Sequence, residues 1–122
     1  MNAIEYIKEH HSKDSIITKD IVLAKFCALE NSYKHSFIIP CNLLNIVYSS
    51  TKILHTVDGD IEVRAGEAFF ITKGEYVMSE VVEDSEYKCL LIFFDHHLTR
   101  KLISELPFKL NTNKNIDTKN IF

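Results

Sequence analysis

The sequence predicts an all-β fold, a small barrel or jelly roll of roughly eight short antiparallel strands, with a C-terminal helix packed on its outside. Three observations point there. Gly59, Gly66 and Gly74 are the only glycines in the chain and stand seven and eight residues apart, the rhythm of short strands joined by tight turns. Asp60-Ile-Glu-Val-Arg64 alternates without interruption, which puts Ile61 and Val63 on one face of a strand and three charges on the other. After Asp95 the period changes, and Leu98, Leu102, Ile103 and Leu106 share one helical face.

Residues 1–20 are mixed and polar and read as an N-terminal arm, with only Ile4 and Ile7 hinting at a helical stripe. Residues 21–94 are the predicted barrel. Ile21 to Leu29 is a first strand, and Ser36 to Ile39 a second, stopped by Pro40, which has no N–H to donate. Leu43 to Ser49 follows. Lys52 begins a hairpin whose two-residue loop is expected at Asp58-Gly59, since Gly accepts positive φ without cost and Asp visits it readily. Ala65-Gly66 and Lys73-Gly74 are the next turns, with an apolar strand between them. Tyr76 to Val82 is a strand, residues 83–86 a polar turn, and Tyr87 to Phe94 the most hydrophobic strand, hence central. Asp95 is suited to cap a helix over residues 95–106, which Pro107 closes by disfavouring helical geometry at Leu106. Residues 107–122, dominated by Asn, Lys and Thr, read as a linker or tail.

With 122 residues, 46% of them hydrophobic and 25% charged, the chain suits one soluble domain. Its net charge of -3 gives no basic footprint for nucleic acid. Cys27, Cys41 and Cys89 are odd in number and widely spaced, so reduced core thiols in a cytoplasmic protein are expected rather than a disulfide framework. No signal-peptide pattern is evident, and the longest apolar run, Cys89 to Phe94, is far too short to span a membrane.

Two sequence phrases carry a resemblance. Gly66, five residues, Thr72-Lys73-Gly74, two residues, Val77 resembles the second cupin motif, with Thr72 in place of its proline and Val77 in place of its metal-binding histidine. Val63-Arg-Ala-Gly-Glu-Ala-Phe-Phe-Ile-Thr-Lys-Gly-Glu-Tyr-Val-Met-Ser79 and Leu90-Leu-Ile-Phe-Phe-Asp95 are similar to the N-terminal domain of AraC-type transcription regulators, nearest the subgroup that includes activators of type III secretion genes. The resemblance implies a cupin-like jelly-roll barrel that senses an effector or binds a regulatory protein, and often dimerises. DNA would be reached only through a helix-turn-helix domain absent from this chain. The alternative is a stand-alone small cupin with metal-independent enzymatic activity.

The chemistry expected of the residues is modest. His10-His11 and His96-His97 are adjacent pairs whose side chains diverge, and His55 stands alone in its strand, so neither a metal nor any other cofactor is expected. No Gly-x-Ser-x-Gly, phosphate loop or dinucleotide fingerprint occurs, and no cysteine has a histidine beside it, so no catalytic residues are assigned and an enzyme is not expected. The motif places Val77 inward, and period two adds Ser79 and Val81. Tyr48, His55, Phe70, Cys89 and Phe93 are facing candidates, making eight potential ligand-binding positions that are otherwise plain barrel core. Leu98, Leu102 and Leu106 are a possible interface, or else pack on the barrel.

Overall fold

A computed structural model of the chain describes residues 1–95 and 120–121. It opens with helix α1 (Ala3–His10) and a tighter helical turn at Ser12–Asp14, followed by ten strands. These are β1 (Ser15–Ile17), β2 (Ile21–Ala28), β3 (Ser32–Ile39), β4 (Asn42–Ser49), β5 (Thr51–Thr56), β6 (Gly59–Arg64), β7 (Ala68–Ile71), β8 (Gly74–Val81), β9 (Tyr87–Phe94) and β10 (Asn120–Ile121). One sheet has the order β1-β2-β9-β4-β7-β10 and the other β3-β8-β5-β6, with antiparallel pairing throughout. The all-β double-sheet architecture is the one expected.

Alternation builds the core. Val22 and Ala24 of β2, Leu43 and Val47 of β4, Phe69 and Ile71 of β7, and Tyr87, Cys89 and Phe93 of β9 form one wall. Ile39 of β3, Leu54 of β5, Val63 of β6 and Met78 of β8 form the other. Strand β9 lies between β2 and β4, the central place its hydrophobicity predicts.

Three details differ from expectation. The first 20 residues are not a free arm. The Asn2 side chain caps α1 by accepting from the Ile4 N–H at 2.9 Å and the Glu5 N–H at 3.2 Å. Ala3 and Ile7, one turn apart, are buried, and the Ile38 N–H donates to the Met1 carbonyl at 2.7 Å. β1 then adds an edge strand against β2.

The β5–β6 loop is Val57-Asp58, one residue earlier than expected, because Thr56 pairs with Gly59. Gly59, at φ 123°, takes a positive-φ position just after the corner, while Thr56 Oγ1 donates to the Gly59 carbonyl at 2.6 Å. Finally, Cys27 is exposed and Cys41 half-buried, so only Cys89 is a core thiol; all three are free. The alternation of β2 explains the exposure of Cys27, which shares the outward face of that strand with Lys25.

The expected helix over residues 95–106, with Leu98, Leu102 and Leu106, lies outside the described residues, as does most of the expected tail. Of residues 107–122, Asn120 and Ile121 pair with Phe70 and Phe69 as strand β10.

Candidate functional site

Strands β5 and β8 are paired so that Lys52 stands directly opposite Glu80. Lys52 shares the inward face of β5 with Leu54, and Glu80 shares the inward face of β8 with Met78. Both charged residues are therefore inside the barrel, Lys52 6% exposed and Glu80 1%. Lys52 Nζ lies 3.6 Å from Glu80 Oε2 and 5.7 Å from the centre of the Tyr87 ring, within reach of a cation–π attraction. From β3, His35 Nε2 donates to Glu80, 3.0 Å from Oε1 and 3.1 Å from Oε2.

Burial alone would raise the Glu80 carboxyl, but Lys52 and then His35 outweigh it and hold the group below its usual 4.5. Glu80 is thus an anion at neutral pH. Burial pushes the Tyr87 phenol well above 10 and raises the Cys89 thiol, so both stay neutral. Asn45 projects from β4, wholly buried, and neither its amide nitrogen nor its oxygen has a hydrogen-bond partner. It lies close enough to the Tyr87 hydroxyl to favour the phenolate slightly, yet the two groups are not aligned as a hydrogen bond.

His35, Asn45, Lys52 and Glu80 line a cavity of about 50 Å³ between the sheets, with Phe26, Phe37, Leu91 and Phe93 among its apolar walls. Helix α1 closes it: Ala3, Tyr6 and Ile7 all contribute to the lining. Tyr6 meets Phe37 edge-on at 5.7 Å, and His11 meets Phe26 edge-on at 5.0 Å. Beside it, under Met1 and Tyr6, a wider cleft of about 440 Å³ reaches His35 and Glu80 from outside.

Of the eight expected ligand-binding positions, Phe93 lines this cavity and Cys89 is buried on the same strand face. The other six point away from it. Val77, Ser79 and Val81 occupy the opposite face of β8 from Met78 and Glu80, so the expected inward set is out of phase by one residue. Tyr48 is 59% exposed. Phe70 lies on the far side of β7 from Phe69 and Ile71, its ring 6.0 Å from that of Phe94. Hydropathy does not choose the phase of β8, because Tyr76-Met78-Glu80 and Val77-Ser79-Val81 are about equally mixed. The missed residues, His35, Asn45, Lys52 and Glu80, are polar, and their inward direction follows only from cross-strand register.

His55 and Ser79 do come together, on the outer side of the four-stranded sheet. His55 Nε2 is 2.7 Å from Ser79 Oγ, and His55 Nδ1 is 2.8 Å from Asp60 Oδ1. The connectivity is that of a serine nucleophile, its base and an orienting acid. Accessibility argues against that use. Ser79 is 1% exposed, and its oxygen already accepts the Lys34 N–H at 2.8 Å, where Lys34 is bent to φ 49° at a bulge in β3. An electrophile has no path to the oxygen, so the three residues tie β5, β6, β8 and the β3 bulge together.

The residues present do not fit a cupin metal. Val77, at the motif's histidine position, points outward, and inside the barrel the nearest donors, Glu80 and His35, are bonded to each other and to an ammonium group. Among the described residues no three His, Cys, Asp or Glu side chains gather as a metal site.

A family model described as the ExsA N-terminal regulatory domain matches residues 42–122. No curated protein sequence matches the chain. Among solved structures, the chain is similar to a cupin superfamily protein from Desulfitobacterium hafniense, with a TM-score of 0.55 and 9% identity over 66% of this chain and 72% of that one. It is also similar to a cupin domain from Bordetella pertussis, with a TM-score of 0.53 and 11% identity over 66% of this chain and 86% of that one. A third is ToxT from Vibrio cholerae with an unsaturated fatty acid bound, with a TM-score of 0.58 and 8% identity over 86% of this chain and 41% of that one. At these identities the structural likeness establishes the cupin fold.

Proposed function

Because the chain belongs to the ExsA N-terminal regulatory domain family, we propose that it reads its signal inside the barrel, at the cavity closed by α1. It is a regulatory domain of an AraC-type transcription regulator. The observation that carries the finer reading is the Lys52–Glu80–His35 cluster beside the buried Asn45, held in an apolar cavity that α1 covers among the described residues. A small-molecule effector would bind there and shift the balance between α1 docked and α1 released. ToxT, which shares this fold over 41% of its own chain, has an unsaturated fatty acid bound, and a small-molecule effector for this domain is in keeping with that. In this reading the domain is not an enzyme, works in the cytoplasm without metal, and reaches DNA through a helix-turn-helix domain beyond it. A helix over residues 95–106 would offer Leu98, Leu102 and Leu106 to a second copy. Among the described residues, no helix is long and apolar enough to cross a membrane.

A regulatory protein docking on the barrel is the second reading, favoured by the small volume of the cavity. One experiment separates the two. The melting temperature of the chain is measured with the small-molecule fraction and with the protein fraction of an extract of its host. Met78→Trp, which fills the cavity, is the control. A rise with the small-molecule fraction that Met78→Trp abolishes supports the interior site. A rise only with the protein fraction, kept in Met78→Trp, overturns it in favour of a partner protein.

A further inference from the structure

Resting on the reading that a small effector enters beneath α1, we propose that the ligand seats in the wider cleft beside the interior cavity, and that it is a flat aromatic molecule whose head is a neutral N–H or O–H donor.

Size selects the cleft. The interior cavity of about 50 Å³ has room for no more than a few waters. The cleft under Met1 and Tyr6 holds about 440 Å³, inside the range of roughly 300–1,000 Å³ that small-molecule sites occupy. It shares Tyr6, Phe26, His35, Phe37 and Glu80 with the cavity, so a ligand there still meets the charged cluster.

The walls of the cleft are rings. His35, Phe37, Tyr6, His11 and Phe26 follow one another along it, their centres 4.8, 5.7, 5.5 and 5.0 Å apart in turn. Three of these four contacts are edge-on, an arrangement that another flat ring extends by stacking or by offering its own edge. Tyr6 belongs to α1 and Phe37 to β3, so a ring that touches both favours the docked helix.

The polar end of the cleft accepts hydrogen bonds. Glu80 lines it, 1% exposed and ionised at neutral pH, whereas Lys52 lines only the interior cavity. The two Glu80 oxygens take a hydrogen from His35 Nε2 and face Lys52, which leaves lone-pair capacity on them. A neutral His35 ring that donates through Nε2 keeps Nδ1 as a further acceptor. A ligand carboxylate would bring a second anion to Glu80 with no cation on its own side of the pair. A ligand ammonium would stand near Lys52, which lies 3.6 Å from the same carboxylate and already balances it. A neutral hydroxyl or N–H meets neither cost.

Four one-ring probes with different heads test this: phenol, anisole, benzoate and benzylammonium. Each is titrated at neutral pH into the chain isotope-labelled in its Tyr and His rings, and the ring signals of Tyr6 and His35 are followed. Phenol is expected to shift both, leaving the exposed Tyr48 unmoved. It is expected to bind about tenfold more tightly than anisole, the worth of one hydrogen bond, and more tightly than either ion. If anisole, benzoate or benzylammonium moves the Tyr6 and His35 signals at concentrations as low as phenol does, the neutral-donor inference fails while a site beneath α1 stands. If none of the four moves them, the cleft takes no such ring and the inference fails outright. The melting experiment with the host extract then decides separately whether a small effector enters beneath α1.

Discussion

Lys52 and Glu80 are direct cross-strand neighbours on β5 and β8, and their side chains meet 3.6 Å apart inside the barrel, both buried. A buried ion pair adds little net stability over a well-packed apolar pair, but each charge makes the other tolerable. Lys52→Met is therefore expected to cost about 3–5 kcal/mol in chemical denaturation, and adding Glu80→Leu to recover most of that loss. Equal, additive losses from the two substitutions would show that the charges are not coupled.

Acid should attack the same pair. The Glu80 carboxyl titrates lower in the folded chain than its usual 4.5, so the stability it contributes is present above that pH and is lost as pH falls through the lower folded value. The melting temperature is expected to drop below about pH 4.5, with a shallower drop in Glu80→Gln. Identical acid profiles for the two proteins would refute the assignment.

How far the sequence leads is clearest at β8. Its existence and length follow from alternation between turns, and Ile61 and Val63 on β6 face where alternation puts them, with Asp60, Glu62 and Arg64 exposed. The phase of β8 does not follow, since Glu80 on its inner face looks like a surface residue until Lys52 of β5 is laid beside it. The helix α1 is hidden for a different reason: a single polar cap at Asn2 and a two-residue stripe are too short a pattern, and its stability comes from the core beneath Ala3 and Ile7.

His11 gives α1 a second pH response. Burial chiefly, and then His10, lower its pKa from 6.5 against the opposing pull of Asp14, and its Nε2 is buried without a hydrogen-bond partner. The folded form prefers the neutral ring, so the contribution is complete above about pH 6.5 and declines as pH falls toward the lower folded value. Amide hydrogen exchange in α1, corrected for the intrinsic pH dependence, is expected to be less protected at pH 5.5 than at 7.5, and about equally protected at both in His11→Phe (roughly one unit either side of the reference value).

Ser79 provides a chemical check on the outer network. A fluorophosphonate that labels activated serines is expected to leave the chain's intact mass unchanged. Ser79→Ala is expected to cost about 1–3 kcal/mol, because the Lys34 N–H loses its acceptor. A single stoichiometric adduct on Ser79 would reopen an enzymatic role.

Strand β9 also dictates when the molecule can come together. It pairs with β2 from Ile21↔Phe94 to Ala28↔Tyr87, and on its other edge with β4. A ribosome that has released everything through β8 has made both neighbours but not the strand that joins them. The hairpin of β5 and β6 can close early, from residues a few positions apart. The larger sheet must wait for nearly the whole described sequence, and such distant pairings fold on the scale of milliseconds to seconds.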